Sequence, residues 1–249
     1  MTDQLVIARQ EHTTGVLELN RPRALNSLTS DMVRIIDQHL AEWATDPQIT
    51  QVLIYSNSPK AFCAGGDLNL LMTAQTMSED ERRARIEDLA DLIRAILDCP
   101  RPVIAAVEGG AAGAGFSLAL ACDLIIAAED ARFSASYVNA GLVPDGGLTG
   151  SLTAALPPAL VAEICLLGRP VEAQRLLDLG AINAVAEPGE VLAAAEAMAH
   201  RLAQGPAEAQ AGIKALLTGA RAALMDAQLD AEVEPMAIAL ASAEAGEGI

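Results

Sequence analysis

The sequence predicts an α/β fold. Three observations carry it: β-rich apolar runs alternate with helical periodicity, a glycine-rich turn joins a buried strand to a short helix, and the last quarter is alanine-rich and helical. The central stretch is Arg101 to Ala128, RPVIAAVEGGAAGAGFSLALACDLIIAA. It reads as strand, turn, helix from Phe116 to Ala121, and a second strand from Asp123 to Ala128. Gly109, Gly113 and Gly115 allow a tight turn and a close backbone approach. A helix N-terminus has spare N–H donors and partial positive charge, which is half of what an oxyanion hole needs. Structural packing accounts for such a turn equally well. GxGxxG is incomplete here because Leu118 stands where the third glycine belongs, and no Lys-Ser/Thr pair follows to make a phosphate loop.

From the N-terminus, Leu5 to Arg9 and Gly15 to Leu19 read as a hairpin turning near His12 to Thr14. The polar loop NRPRALNSL, Asn20 to Leu28, follows. Thr29 or Ser30 can cap a helix whose core face carries Met32, Ile35, Ile36, Leu40 and Trp43. Gln51 to Ser56 is a strand. KAFCAGGDLNLL, Lys60 to Leu71, reads as a small-residue turn into a helix near Asp67, which caps that helix or pins the loop. The Gly66 N–H points out of this turn.

Ser78 to Leu97 is a charged amphipathic helix. Its Arg82, Arg83 and Arg85 can meet phosphates or form a solvated face. Ala131 to Ser134 is a short strand, followed by YVNAGLVPDGG from Tyr137 to Gly147. Helical segments run from Leu148 to Gly168 and from Val171 to Leu179, and Ala181 to Ala186 is a last strand or extended loop. The remainder is helical with expected breaks at Gly205-Pro206 and near Gly219. The organisation is a core, residues 1–188, and a helical C-terminal region, residues 189–249. Amphipathic tail helices of this kind pack on neighbours.

Composition narrows the function. A net charge of −17, with lysine only at Lys60 and Lys214, argues against nucleic-acid binding. An anionic ligand needs local cations or backbone donors. Cys63, Cys99, Cys122 and Cys165 are widely spaced, which reads as reduced thiols rather than a disulfide frame or a metal site. The start, MTDQLVIARQ, has no basic, apolar leader pattern, and no apolar run reaches the roughly 18 residues of a membrane span. The expectation is a cytoplasmic protein, with no membrane partner.

Three segments together carry a resemblance: NRPRALNSL, AFCAGGDL, and GGAAGAGFSLALACDLIIAA followed by FSASYVNAGLVPDGGLTGSL. In order and spacing they resemble the enoyl-CoA hydratase/isomerase, or crotonase, superfamily, over most of the chain. The resemblance implies a crotonase spiral of ββα units with a helical C-terminal trimerisation region, assembled as homotrimers or hexamers. It implies an acyl-CoA substrate and no separate cofactor, coenzyme A being part of the thioester. The N–H groups of Gly66 and Ala114 match the two that hold the thioester oxygen. Arg23, Ala24 and Leu25, with Ala64, Gly65, Gly66, Asp67 and Leu68, match the positions along which the coenzyme lies, and Gly113 belongs to the same site. GIKALL, Gly212 to Leu217, resembles the tail helix whose basic residue, here Lys214, helps hold coenzyme A.

The fold hosts several reactions, so the acid–base residues decide. Ser117 and Tyr137 stand where hydratases of the superfamily carry two glutamates. Neither can share a water as a carboxylate pair does. Asp145, in VPDGG, matches the catalytic aspartate of other branches, and helix capping is the alternative for it. The likeness is closest to the isomerase of phenylacetate degradation, which also shifts enoyl-CoA double bonds. This chain reads VPDGGLTG where that branch has an extra small residue and a bulkier aromatic after the threonine. The leading expectation is an isomerase of an enoyl-CoA double bond or a ring epoxide, working through an enolate with Asp145 as general acid and base, with Tyr137 lining the acyl pocket and Ser117 hydrogen-bonding Asp145 or the ligand. A hydratase of unusual mechanism and an acyl-CoA-binding subunit without chemistry are the alternatives. His12, His39 and His200 lie outside every motif.

Overall fold

The structure is a computed structural model that describes residues 4–248; residues 1–3, where the sequence shows no leader pattern, and residue 249 lie outside the described residues. It opens with the expected hairpin. Strands β1 (Val6–Glu11) and β2 (Thr14–Leu19) pair antiparallel, with Val6 opposite Leu19 and Glu11 opposite Thr14. Helix α1 (Ser30–Thr45) starts at Thr29, whose hydroxyl accepts the Met32 N–H at 3.2 Å. Its buried stripe is Met32, Ile36, Leu40 and Trp43. Trp43 lies on the bare Cα of Gly15, where a Cβ would come within 2.4 Å of the indole.

The chain then winds in turns. Strands β3 (Gln51–Ser56), β4 (Val103–Val107), β6 (Leu124–Ala128) and β9 (Ala184–Ala186) extend the hairpin in parallel, giving the order β1-β2-β3-β4-β6-β9. Every residue of β3 and β4 is buried, as expected for parallel strands covered on both faces. A second sheet, β5 (Gly110–Ala112), β7 (Arg132–Ser134) and β8 (Val171–Glu172), stands beside the first. Each central turn gives one strand to each sheet before its helix: β4 leads to β5 and α4 (Ala114–Ala121), and β6 leads to β7. This is the expected spiral of ββα units.

Helices α2 (Leu68–Ala74) and α3 (Glu79–Asp98) lie between β3 and β4. Ser78 and Glu81 form a reciprocal cap at the start of α3. Helices α5 (Leu148–Ala155), α6 (Pro158–Leu167) and α7 (Ala173–Asp178) follow β7. The segment expected to be helical from Leu148 to Gly168 is split at Leu156 and Pro157, because proline starts the second helix rather than continuing the first. Helix α8 (Val191–Ala203) packs on β3, β4 and β6. The break at Gly205-Pro206 is present, and α9 (Ala207–Leu240) then packs along α3. The break expected near Gly219 is absent. One exposed glycine costs a helix only about 1 kcal/mol, which burial of Met225, Leu229 and Val233 on the same helix offsets. The chain ends in α10 (Ala243–Gly248).

Among the described residues, no helix is long and apolar enough to cross a membrane. All four cysteines are free, three of them buried.

Lys214 corrects an expectation. It is buried on α9 and spends its three N–H donors on the carbonyls of Ile96 (2.9 Å) and Arg101 (3.1 Å) and the carboxylate of Asp123 (2.7 Å). Asp123 also accepts the Val103 N–H at 2.7 Å. The lysine therefore ties the tail helix to the start of β4 and has no donor left for a ligand. Lys214→Met should lose about 3 kcal/mol of unfolding free energy in a urea titration, because it strands a carboxylate and two carbonyls. A loss below about 1 kcal/mol, together with weakened acyl-CoA binding, would restore the ligand-binding role.

Candidate active site

The main cleft collects most of the residues singled out by sequence. Ala64, Gly65, Gly66, Asp67, Leu68, Gly113, Ala114, Tyr137 and Asp145 all line it, within a cavity of about 200 Å³. Local chemistry brings the two glycine-rich turns together. Gly115 presses its bare Cα on the Cys63 carbonyl, where a Cβ would sit 2.2 Å from the oxygen. Gly65 adopts φ +101, and a Cβ there would stand 2.9 Å from the Ala112 carbonyl and 3.5 Å from the Ala114 nitrogen. Its absence keeps that nitrogen open. Short bridges pair Cys63 with Ala111 and Leu28 with Gly66, fixing both turns to the framework.

Helix α4 begins at Ala114, two residues before the expected start, so the Ala114 N–H is the first of the helix and has no intrahelical acceptor. Among the described residues, neither the Ala114 nor the Gly66 N–H donates to a backbone acceptor. Two unpaired amides therefore face one cleft, each held by a rigid turn. Such a pair can bind an oxygen on which negative charge develops.

Asp67 both caps and pins, as the sequence allowed. One carboxylate oxygen accepts the N–H groups of Asn69 (2.9 Å) and Leu70 (3.3 Å), and the other pairs with Arg21 at 2.5 Å. Burial opposes that charge, but the hydrogen bonds and Arg21 prevail and hold its pKa below the usual range. Arg23, Ala24 and Leu25 lie just outside the lining, in a loop whose Leu25 carbonyl accepts the Ala64 N–H at 3.0 Å. Arg23 is exposed there.

Asp145 is buried in the cleft beside Tyr137 and Ser117. The Tyr137 hydroxyl donates to Asp145 Oδ1 at 2.7 Å, and the Ser117 hydroxyl donates to the Asp145 backbone carbonyl at 2.9 Å. Burial raises the Asp145 pKa to about 7; the Tyr137 hydrogen bond opposes the rise, and the nearby Glu232 charge adds to it. Burial and the Asp145 charge hold the Tyr137 phenol well above its ordinary range, so it remains a donor. A carboxyl poised near neutrality can take up and return a proton in the working pH range.

Helix capping does not explain Asp145. Helix α5 is capped from another element: Glu232 on α9 accepts the N–H groups of Gly147 (2.7 Å) and Thr149 (3.1 Å) and the Thr149 hydroxyl (2.5 Å). Burial pushes the Glu232 pKa up, and these donors oppose the rise. Sequence reasoning missed Glu232, which lies 85 residues beyond Gly147 in a helix without a motif. Of the α3 arginines that the sequence offered to a ligand or to solvent, Arg82 and Arg85 line the cleft wall, with Ile86, Asp88 and Leu89, which the sequence did not single out. Arg83 lies off that wall, paired with Glu79 and Glu234.

The raised pKa makes a stability prediction. Asp145 is protonated in the folded state up to about pH 7, whereas an unfolded aspartate ionises near pH 3.9. Its contribution is thus fully present below about pH 4 and is lost as pH rises to about 7. Relative to wild type, Asp145→Asn should gain stability across that window, by on the order of 4 kcal/mol, as read by denaturant unfolding at a series of pH values. A difference that stays flat with pH would show that the carboxyl is not perturbed.

Comparison with known proteins agrees with this geometry. The family model described as enoyl-CoA hydratase/isomerase matches residues 9–249. The chain is 32% identical over 247 residues to the 1,2-epoxyphenylacetyl-CoA isomerase of Escherichia coli, covering 99% of this chain and 94% of that protein. It is 30% identical over 197 residues to the short-chain-enoyl-CoA hydratase of Clostridium acetobutylicum, covering 79% and 74%. Among solved structures, an enoyl-CoA hydratase from Mycobacterium avium subsp. paratuberculosis superposes with a TM-score of 0.89 at 31% identity, covering 98% of this chain and 97% of that one. An enoyl-CoA hydratase from a Polaromonas species is 39% identical, with a TM-score of 0.85 and coverage of 98% and 94%. With these matches over nearly its whole length and a paired-amide cleft in place, the chain belongs to the enoyl-CoA hydratase/isomerase family.

Proposed function

We propose that this protein is an enoyl-CoA isomerase that moves a double bond through an enolate, with Asp145 as its single acid–base group. The observation that carries this reading is the setting of Asp145. It is buried in the cleft, held on one oxygen by Tyr137 and poised at a pKa of about 7. Of the other cleft carboxylates, Asp67 is consumed by Arg21 and the α2 cap, and Asp88 lies on α3. Ser117 and Tyr137 are neutral, and the nearby Glu232 is spent on Gly147 and Thr149 outside the cleft lining, so among the described residues no second free carboxylate stands beside Asp145 to share a water.

The chemistry then needs one carboxylate. The thioester oxygen of a 3-enoyl-CoA accepts the N–H groups of Gly66 and Ala114. The ionised Asp145 removes a proton from C2, and the C–H electron pair moves into a dienolate whose charge rests on that oxygen. The protonated Asp145 returns the proton at C4, leaving the conjugated 2-enoyl thioester. Two preorganised donors contribute about 3–4 kcal/mol each to the charged intermediate. Tyr137 orients the carboxyl, and Ser117 fixes the backbone beneath it. The 1,2-epoxyphenylacetyl-CoA isomerase relative supports an isomerase, and Arg23 to Leu25 with Ala64 to Leu68 are the residues along which we place the coenzyme.

Purified protein incubated with 3-enoyl-CoA should give a conjugated thioester of unchanged mass, seen by ultraviolet absorbance and mass spectrometry. Activity should rise with pH through about 7 and then level off, because the base must be ionised. Asp145→Asn should lose at least about 100-fold in turnover while still binding acyl-CoA. Full activity in that variant removes Asp145 from the mechanism. A mass gain of about 18 Da, one water, on 2-enoyl-CoA would establish a hydratase instead. Acyl-CoA binding with no turnover on either substrate would leave a binding subunit.

We further propose assembly as a homotrimer or hexamer, supported by exposed leucines on α6 (Leu166, Leu167) and α9 (Leu216, Leu217). Sedimentation velocity should find no monomer at micromolar concentration; a monomer would exclude the assembly.

A further inference from the structure

The turn that carries Asp145 cannot cap its own helix. Gly146 and Gly147 both adopt left-handed backbone, φ +62 and +69, and α5 starts immediately after them. No side chain fits at either place. A Cβ on Gly146 would meet Leu89 and Ser117, both at 3.1 Å, and one on Gly147 would stand 2.9 Å from the Met225 methyl and 3.1 Å from Leu229. Helices ordinarily take their first cap from a Ser, Thr, Asp or Asn at the position Gly147 occupies. That route is closed here, and Asp145 is turned the other way, to Tyr137. The amides of Gly147 and Thr149 are taken instead by Glu232, from α9.

A glutamate brings more than a cap. Its contacts are all donors: the Gly147 N–H on one oxygen, the Thr149 N–H and hydroxyl on the other. Such a set suits the ionised, acceptor-only form. A negative charge is therefore clamped to the backbone two residues beyond Asp145, in the interior, where charges interact more strongly than in water. The other titratable groups around Asp145 come from separate elements. Tyr137, in the 3-10 turn Ser136–Ala140, donates to it, and Arg82, Arg85 and Asp88 of α3 lie on the cleft wall. Helices α4 and α5 carry no charged residue. Cys165 of α6 is the further group that feels the Glu232 charge. Glu232 itself is not among the residues that line the cleft.

We infer that Glu232 is a positioning residue for proton transfer at Asp145. Its grip on Gly147 fixes the Gly-Gly turn that aims the acid, and its charge strengthens the hold of Asp145 on a proton. This rests on the isomerase reading above and adds to it a residue that touches no substrate. The tail helix then tunes the base from outside the cleft.

Two readouts test it, one of them independent of turnover. In Glu232→Gln the pH limb of kcat with 3-enoyl-CoA should move down by about 0.5 to 1 unit, because the charge that favours the protonated acid is gone. Plateau kcat should fall about 10-fold with KM within about 2-fold of wild type, since the turn slackens while the acyl-CoA site is untouched. Glu232→Asp keeps the charge on a shorter arm, so its limb should stay within about 0.3 unit of wild type while its kcat falls. By denaturant unfolding, the pH at which the stability gain of Asp145→Asn levels off should drop by about 0.5 to 1 unit in a Glu232→Gln background. A limb or a levelling pH that stays at the wild-type value, or a rise in KM as large as the fall in kcat, would make Glu232 a plain helix cap and overturn the inference, with the isomerase reading intact. Should Glu232→Gln not fold, Glu232→Asp decides: wild-type kcat in that variant overturns the inference. A wild-type protein without isomerase activity removes the reading itself, and the inference with it.

Discussion

The contact between the Gly115 Cα and the Cys63 carbonyl sets the distance between two turns that come from different windings of the spiral. A side chain at position 115 would drive them apart, since its first carbon would stand 2.2 Å from that oxygen. With glycine there, the strand-ending turn that carries Gly66 and the N-terminus of α4 that carries Ala114 share one cleft. The short bridge at Cys63–Ala111 ties the Gly66 turn to β5 of the second sheet, and the one at Leu28–Gly66 ties it to the segment before α1. The amides are therefore fixed by the framework before any ligand arrives. That is the condition under which backbone dipoles stabilise a developing charge without having to reorganise.

The acid is positioned by different means. Asp145 sits in a turn that no strand holds, between the short 3-10 turn Ser136–Ala140 and α5. Glu232 reaches across from α9 to grip the backbone just after it, and Ser117 grips its carbonyl from α4. Tyr137 then orients the carboxyl itself. Burial that lifts the Asp145 pKa to about 7 destabilises the fold at working pH, and the same burial supplies the proton affinity that the proposed chemistry would use. The tail helix is thus part of the site, although its own sequence carries no catalytic motif.

Lys214 and Glu232 lie on that same helix and show how chemistry at a distance is decided. Both are charged and buried, and both are satisfied by backbone groups of another element. Lys214 closes the gap between α9 and the start of β4, so a residue matched by resemblance to a coenzyme-binding position serves here to fasten the fold. Glu232 supplies the cap that Asp145 was free to supply and does not. In each case the partner lies more than 80 residues away in sequence, at |i−j| of 85 for Gly147 and 118 for Ile96.

Local physics is written in the sequence, and those elements were legible from it. Strands β1 to β4, the Thr29 cap, the turn glycines and the Asp67 cap each depend on neighbours within a few residues. So does the Gly66 amide, in a strand-ending glycine turn, whereas the Ala114 amide was named through the family resemblance, the local pattern having started its helix at Phe116. The motif order also placed Asp145, Tyr137 and Ser117 in one site. What local pattern could not carry was decided by packing. An isolated Gly219 reads as a break until α3 covers the other face of α9, and Arg83 and Arg85 read alike until the helix turns one toward solvent acids and the other into the cleft. The sequence by itself determined the order of the spiral, because each winding rests on residues adjacent in the chain. Only the tertiary structure decided which charges are satisfied and which face the cleft, because a buried charge is defined by the acceptors that distant segments bring to it.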